Sequence, residues 1–256
     1  AVGCAVNHWA PPGDERFLLR LYAVAIASRV LMVGVLHLWA TYRGLGYLLY
    51  GYESFDVFGD SAYVSLRGWL VAQTWLGQLD PAVVDQEALF EDWHSPVSLL
   101  YAGYHALFGF SQVSVKLINS LFGVLTALVS YRLVKELWDR RSARIAAILV
   151  AFFPSTFLWS LANLKDIPNG LGLVWACWAA VRLIREGIRL TPTVHLVAAV
   201  LFLWTVRPPI AVVEGICLAI GFWWAAFRWR RGRVVSVVAL AVIWAATVVL
   251  PGRAGV

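Results

Sequence analysis

Residues 115–155 read VKLINSLFGVLTALVSYRLVKELWDRRSARIAAILVAFFPS. Two apolar stretches flank a short turn where Arg132, Lys135, Arg140, Arg141 and Arg144 crowd together, and the second stretch ends at Pro154. Apolar runs of ~17–25 residues are what an α-helix needs to cross a hydrocarbon core of about 30 Å. Cationic turns between such runs mark cytoplasmic loops, because the excess of Lys and Arg stays on that side. The stretch therefore reads as two membrane helices joined by a cytoplasmic turn.

The pattern continues in both directions. Apolar runs occupy residues 17–40, 113–138, 143–162, 167–184, 192–206, 210–227 and 234–250, with 192–206 the shortest. Hydrophobic residues make up 61% of the 256-residue chain and charged residues 14%, against about 45–50% and about 25% in soluble domains. Mean hydropathy is +0.72. A soluble fold of this length cannot hide so much apolar side chain. The fourteen Trp residues fit a chain that meets membrane interfaces. The net charge of +6 lies in short clusters between apolar runs, so it sets topology and gives no reason to expect nucleic acid. Cys4, Cys177 and Cys217 form no CxxC pair, and they read as packing cysteines.

Residues 41–112 are too polar in the middle to cross as a whole. Residues 62–79 and 96–110 within them are amphipathic and read as helices at the membrane surface. Residues 94–110 have a second reading, as a true span. Further basic clusters at Arg182, Arg185 and Arg189, and at Arg228, Arg230, Arg231 and Arg233, share a side with the N-terminus only if 96–110 does not cross. With that choice the N-terminus is cytoplasmic. The outer segment then gathers Glu53, Asp56, Asp60, Asp80, Asp85, Glu87, Glu91 and Asp92 against Arg43 and Arg67. The expected fold is all-α: a polytopic transmembrane helical bundle with amphipathic juxtamembrane helices in the first outer loop (41–112). Residues 1–16 read as a short leader and 17–256 as the transmembrane module.

Four stretches in order carry a resemblance: Gly59-Asp60-Ser61-Ala62-Tyr63, then HSPVSLLYAGYHALFG at 94–109, then residues 115–155, then Leu164-Lys165-Asp166. Together they resemble the GT-C superfamily of glycosyltransferases, especially its bacterial family-39-like and aminoarabinose-transferase-like members. The likeness spans roughly residues 16–185. It implies a membrane enzyme that moves a sugar from a polyprenyl-phosphate carrier to an acceptor hydroxyl, with inversion, at the extracytoplasmic face. A bacterial inner (plasma) membrane location goes with it. The implied partners are the lipid-linked donor, membrane lipids and further membrane subunits. No cofactor is implied, and a divalent metal is left open. Members of the superfamily run on through more helices, whereas this sequence stops at Val256. The alternative is therefore a non-catalytic membrane subunit or scaffold of a larger complex.

The chemistry needs a base for the acceptor proton and positive charge for the leaving phosphate. The acidic motif makes Asp60 the base candidate, although an Asp before Ser-Ala-Tyr is also a good helix cap. Asp56 is the runner-up and is equally suited to a turn. Lys165 and Asp166 lie together at an outer helix boundary, as a phosphate-binding cation beside a second acid or simply as a solvated turn. Arg207 precedes Pro208-Pro209, where a guanidinium fork can grip phosphate or snorkel to the interface. Tyr63 stands as a substrate contact from its place in the acidic motif, and His94 as another because it directly precedes Ser95-Pro96. His37, His94 and His105 have no metal-ligand spacing and read as packing or interfacial groups. Arg29 and Glu214 fall inside spans, where a charge costs about 2.5–3.5 kcal/mol on insertion scales. Each calls for a partner; a pair between the two is one option, which their spacing does not support because their depths differ.

Overall fold

The computed structural model describes residues 13–49, 52–80 and 97–228. His94, most of the leader and the apolar run 234–250 lie outside these residues. Helix α1 (Glu15–Tyr42) is followed by a hairpin of β1 (Gly46–Leu49) and β2 (Tyr52–Phe55). Then come α2 (Gly59–Trp75), α3 (Val97–Phe108), α4 (Gln112–Leu137), α5 (Arg140–Phe152), α6 (Pro154–Trp159), α7 (Asp166–Glu186), α8 (Leu190–Val206) and α9 (Pro208–Arg228). The fold is a helical bundle, and α1, α4 and α7 are each long and apolar enough to cross a membrane.

The antiparallel hairpin, which pairs Gly46 with Phe55 and Leu49 with Tyr52, is an addition to the all-α expectation. Strands of four residues carry too little alternation to be read from sequence. Helix α3 has 12 residues and is about 18 Å long, so it is too short to cross. The described residues therefore favour the surface-helix reading of 96–110, while residues 94–96 lie outside them. The run 143–162 is likewise not one helix. Phe153 adopts extended geometry (φ −60°, ψ 128°) and Pro154 opens α6. Proline disfavours helical geometry in the residue before it and suits the first helical position.

Small residues set the packing of α1, α4 and α5. Ala143, Ala147 and Ala151 of α5 are fully buried and meet Ala25 of α1 and Val124, Ala127 and Tyr131 of α4. Close backbone approach through such stripes is how membrane helices associate. Gly172 does the same for α7 and α8, since a Cβ there would stand 2.6 Å from Leu203.

The basic clusters around Arg140 and Arg185 gather at one end of the bundle, while residues 229–233 of the third lie outside the described residues. Buried Asp14, just before α1, takes Arg140 and Arg144 of α5, Lys135 of α4 and the Tyr131 hydroxyl. Burial pushes the Asp14 carboxyl up, but hydrogen bonds from Tyr131, Arg144 and Arg140 outweigh it and hold its pKa at about 2. Arg185 of α7 reaches Glu136 of α4 at 3.6 Å. The N-terminus of α1 therefore shares an end with both basic turns, and the starts of α2, α4 and α7 lie at the opposite end.

Arg29 does not pair with Glu214. Its guanidinium donates to Ser160 Oγ at 2.8 Å and to the Ala151 carbonyl at 2.7 Å, and it stacks 4.8 Å from the Phe157 ring. Glu214 instead accepts from the Cys177 thiol at 3.3 Å. Cys177 is thus a polar partner, not an inert packing residue. Cys217 is exposed, which also departs from the packing expectation.

Candidate active site

At the end opposite the basic clusters a pocket of about 410 Å³ opens between α2, α3 and the α6–α7 junction. Helix α2 supplies Asp60, Tyr63, Val64 and Arg67 to its lining. Trp159, Leu164, Lys165 and Asp166 come from the junction, and Ser98 from α3. The volume lies in the range of small-ligand sites, about 300–1,000 Å³. Asp60 stands in the first turn of α2, where a carboxylate faces the favourable end of the helix dipole. The residue at the cap position is Phe58, so the alternative reading of Asp60 as the N-cap does not hold.

Four sequence candidates meet here: Asp60, Tyr63, Lys165 and Asp166. Arg207, at the end of α8, reaches Asp166 from the side, Nη1 to Oδ1 at 3.8 Å. Both partners are partly exposed, so water screens the pair and it contributes little to stability. Asp56 is not part of the lining. It is 2% exposed, and its carboxylate accepts from Phe58 N at 3.1 Å and Ser61 Oγ at 2.6 Å while meeting Lys116 Nζ at 3.0 Å. His105 is buried against Trp69, their rings edge-on with centroids 5.9 Å apart, and burial lowers its pKa.

Arg67, Ser98 and Trp159 were not singled out in the sequence. Arg67 is 4% exposed, its guanidinium 5.9 Å from the Tyr63 ring. The signal for it was present: Asp60, Tyr63, Val64 and Arg67 recur at helical spacing and share one face. Trp159 carries no such signal, because only the break at Pro154 turns it toward the pocket. The pocket thus combines two carboxylates, two cations and two aromatic rings. That set can take a proton, hold an anion and cover an apolar sugar face.

A buried polar framework lies beneath it. Asn119 of α4 donates to the carbonyls of Trp159 (3.3 Å) and Ala162. Ser120 donates to the Ser160 carbonyl at 3.0 Å, and the Asn163 backbone N–H donates to Ser61 Oγ at 2.7 Å. The loop carrying Lys165 is therefore tied to α4 and to the start of α2.

A family model described as dolichyl-phosphate-mannose-protein mannosyltransferase matches residues 94–251. The chain belongs to that family. It is accordingly an integral membrane protein and a glycosyltransferase of the GT-C kind, a family typified by polyprenyl-phosphate-linked sugar donors. No curated protein and no solved structure matches the chain. The matched segment includes Lys165, Asp166 and Arg207, whereas Asp60, Tyr63 and Arg67 precede it.

Proposed function

We propose that this chain transfers a sugar from a polyprenyl-phosphate donor to an acceptor at the extracytoplasmic face of a bacterial inner membrane, with the pocket between α2 and α7 as the active site. The observation that carries the reading is the meeting of Asp60 with Lys165 and Asp166 on one pocket, at the end of the bundle away from the basic turns. The positive-inside rule supports a cytoplasmic side for those turns and the N-terminus, and with it a pocket at the outer surface, within reach of a carrier lipid's head group.

In this reading Asp60 takes the proton from the acceptor hydroxyl. The acceptor oxygen bonds to the anomeric carbon on the face opposite the phosphate. The bond from that carbon to the phosphate oxygen breaks, and its electron pair leaves with the carrier phosphate. Lys165 offsets the charge that develops there, and such preorganised charge often supplies the largest part of catalysis. Arg207, steered by Asp166, grips the carrier phosphate from the lipid side. Arg67 adds a second cation to the pocket wall, and Tyr63 and Trp159 cover the sugar. His94 belongs to the same reading as a substrate contact.

The test is transfer in proteoliposomes from a polyprenyl-phosphate-mannose donor, with membrane extract supplying acceptors. Wild type is compared with Asp60→Asn. The expected loss in kcat is about 10²–10⁴-fold, the usual worth of a general base. Equal transfer by the two proteins removes Asp60 as the base. No transfer by wild type, with this donor or other polyprenyl-phosphate sugars, favours the non-catalytic subunit.

A further inference from the structure

We propose that Ser61 is a positioning residue whose hydroxyl fixes the base-bearing start of α2 against the loop that carries Lys165. The inference rests on the reading of Asp60 as base and adds to it the means by which the two walls of the pocket keep their register.

Ser61 follows Asp60 directly, yet it faces away from the pocket and is fully buried. Its Oγ donates to Asp56 Oδ2 at 2.6 Å and accepts from the Asn163 backbone N–H at 2.7 Å. A hydroxyl serves as donor and acceptor at once, so a single oxygen joins the two segments. Asn163 also neighbours Leu164 and Lys165, both of which line the pocket.

Each wall has its own anchor on α4. Lys116 holds Asp56 at 3.0 Å, and Asn119 and Ser120 hold the carbonyls of the loop. These three residues recur at helical spacing and share one face of α4. Loss of the Ser61 hydroxyl therefore leaves both walls attached to α4, and the Phe58 and Trp159 rings still 6.1 Å apart, while cutting the hydrogen bond that ties the start of α2 to the loop. The bundle persists, and the distance from Asp60 to the reacting atoms relaxes.

The experiment measures kcat, donor KM and thermal unfolding for wild type, Ser61→Ala, Ser61→Thr, Asp60→Asn and the double variant Asp60→Asn/Ser61→Ala. The probe is the polyprenyl-phosphate-mannose donor. Ser61→Ala is expected to lose kcat by about tenfold to a hundredfold, the scale of a small misplacement near the reacting atoms, with little change in donor KM. Ser61→Thr keeps the hydroxyl and is expected to regain much of that loss. On the Asp60→Asn background Ser61→Ala is expected to cost almost nothing further, because its effect runs through Asp60. Should Ser61→Ala fail to fold, Ser61→Cys preserves the volume with only weak hydrogen bonding and takes its place in the cycle.

A wild-type kcat in Ser61→Ala overturns the proposal. So does a loss that multiplies in full on Asp60→Asn, which would mark general structural damage, or a Ser61→Thr no better than Ser61→Ala. Full activity in Asp60→Asn fails the base reading itself, whatever Ser61 does, and takes the inference with it.

Discussion

Replacement of Lys116 by Met tests the framework on which the site is built. The Lys116 ammonium lies 3.0 Å from Asp56 Oδ2, and both side chains are 2% exposed. At an effective dielectric of about 20, two unit charges at that distance attract by about 5–6 kcal/mol. Met fills most of the volume of Lys and removes that attraction together with the cost of burying the ammonium. What remains is a buried carboxylate with the Phe58 amide and the Ser61 hydroxyl as partners. Breaking a buried pair in this way typically costs about 3–5 kcal/mol. At about 2–4 °C per kcal/mol for a domain of this size, Tm should fall by about 6–20 °C. The assay is thermal unfolding in detergent, followed by tryptophan fluorescence. The second arm is Asp56→Asn/Lys116→Met. It leaves a neutral amide whose oxygen still accepts from the Phe58 backbone amide while its NH2 group turns to donate to Ser61 Oγ, and most of the lost Tm should return. A single-variant shift below about 2 °C would show that the pair is not holding the start of α2, since that is less than 1 kcal/mol on the same scale. A double variant no more stable than Lys116→Met would show that the loss does not come from the stranded carboxylate.

A Cβ on Gly123 would stand 2.9 Å from Ser160 Cβ and 3.5 Å from Arg29 Nε, so Gly123→Ala should cost about 1–3 kcal/mol through overpacking. Gly103→Ala, where nothing lies within 4 Å, is the neutral comparison in the same unfolding assay. Asp14 has its pKa held at about 2 against an ordinary 3.8, so the folded state favours its charged form. Its stabilisation is complete above the unfolded value and is lost as pH falls through about 2. The Tm gap between wild type and Asp14→Asn should therefore be widest near neutrality and narrow progressively below pH 3.8. An unchanging gap would count against the Asp14 cluster.

Hydropathy makes the long elements of this bundle readable, because a membrane helix must be apolar over its whole length wherever lipid touches it. The runs at 17–40, 113–138 and 167–184 correspond to α1, α4 and α7, with ends displaced by a few residues. Hydropathy gives no mark where apolar character continues through a change of direction. Residues 143–162 stay hydrophobic across Pro154, and only the backbone rule for the residue before proline signals the break. The site was partly legible for a different reason. Lys165 and Asp166 are conspicuous as charges at the edge of an apolar run, Asp60 stands out through its Gly-Asp-Ser-Ala-Tyr motif, and Arg67 follows Asp60 on the same helical face. Asp56 looked equally conspicuous, yet burial and three partners give it a different place. Partners from distant segments, such as Cys177 for Glu214, depend on how α7 and α9 pack, which no local pattern specifies.

Arg29 shows how an intramembrane charge and the break in a neighbouring helix account for one another. A helix in lipid can break only where the freed carbonyls find new donors. Pro154 has no N–H to offer the Val150 carbonyl, and Thr156 Oγ1 takes that place at 2.9 Å. The extended Phe153 then frees the Ala151 carbonyl, which Arg29 Nη2 caps at 2.7 Å. A charged donor aimed at a buried carbonyl makes a stronger hydrogen bond than a neutral one, and this offsets part of the burial cost of the guanidinium. In the opposite direction, the freed carbonyl and Ser160 Oγ give Arg29 the partners it needs inside the bundle. With the break secured, α6 leaves the line of α5 and brings Trp159 to the pocket, while the loop after it carries Lys165 to the wall opposite Asp60. The charge least expected from hydropathy, in the first membrane helix, thus fixes the course of the segment that forms one side of the proposed active site.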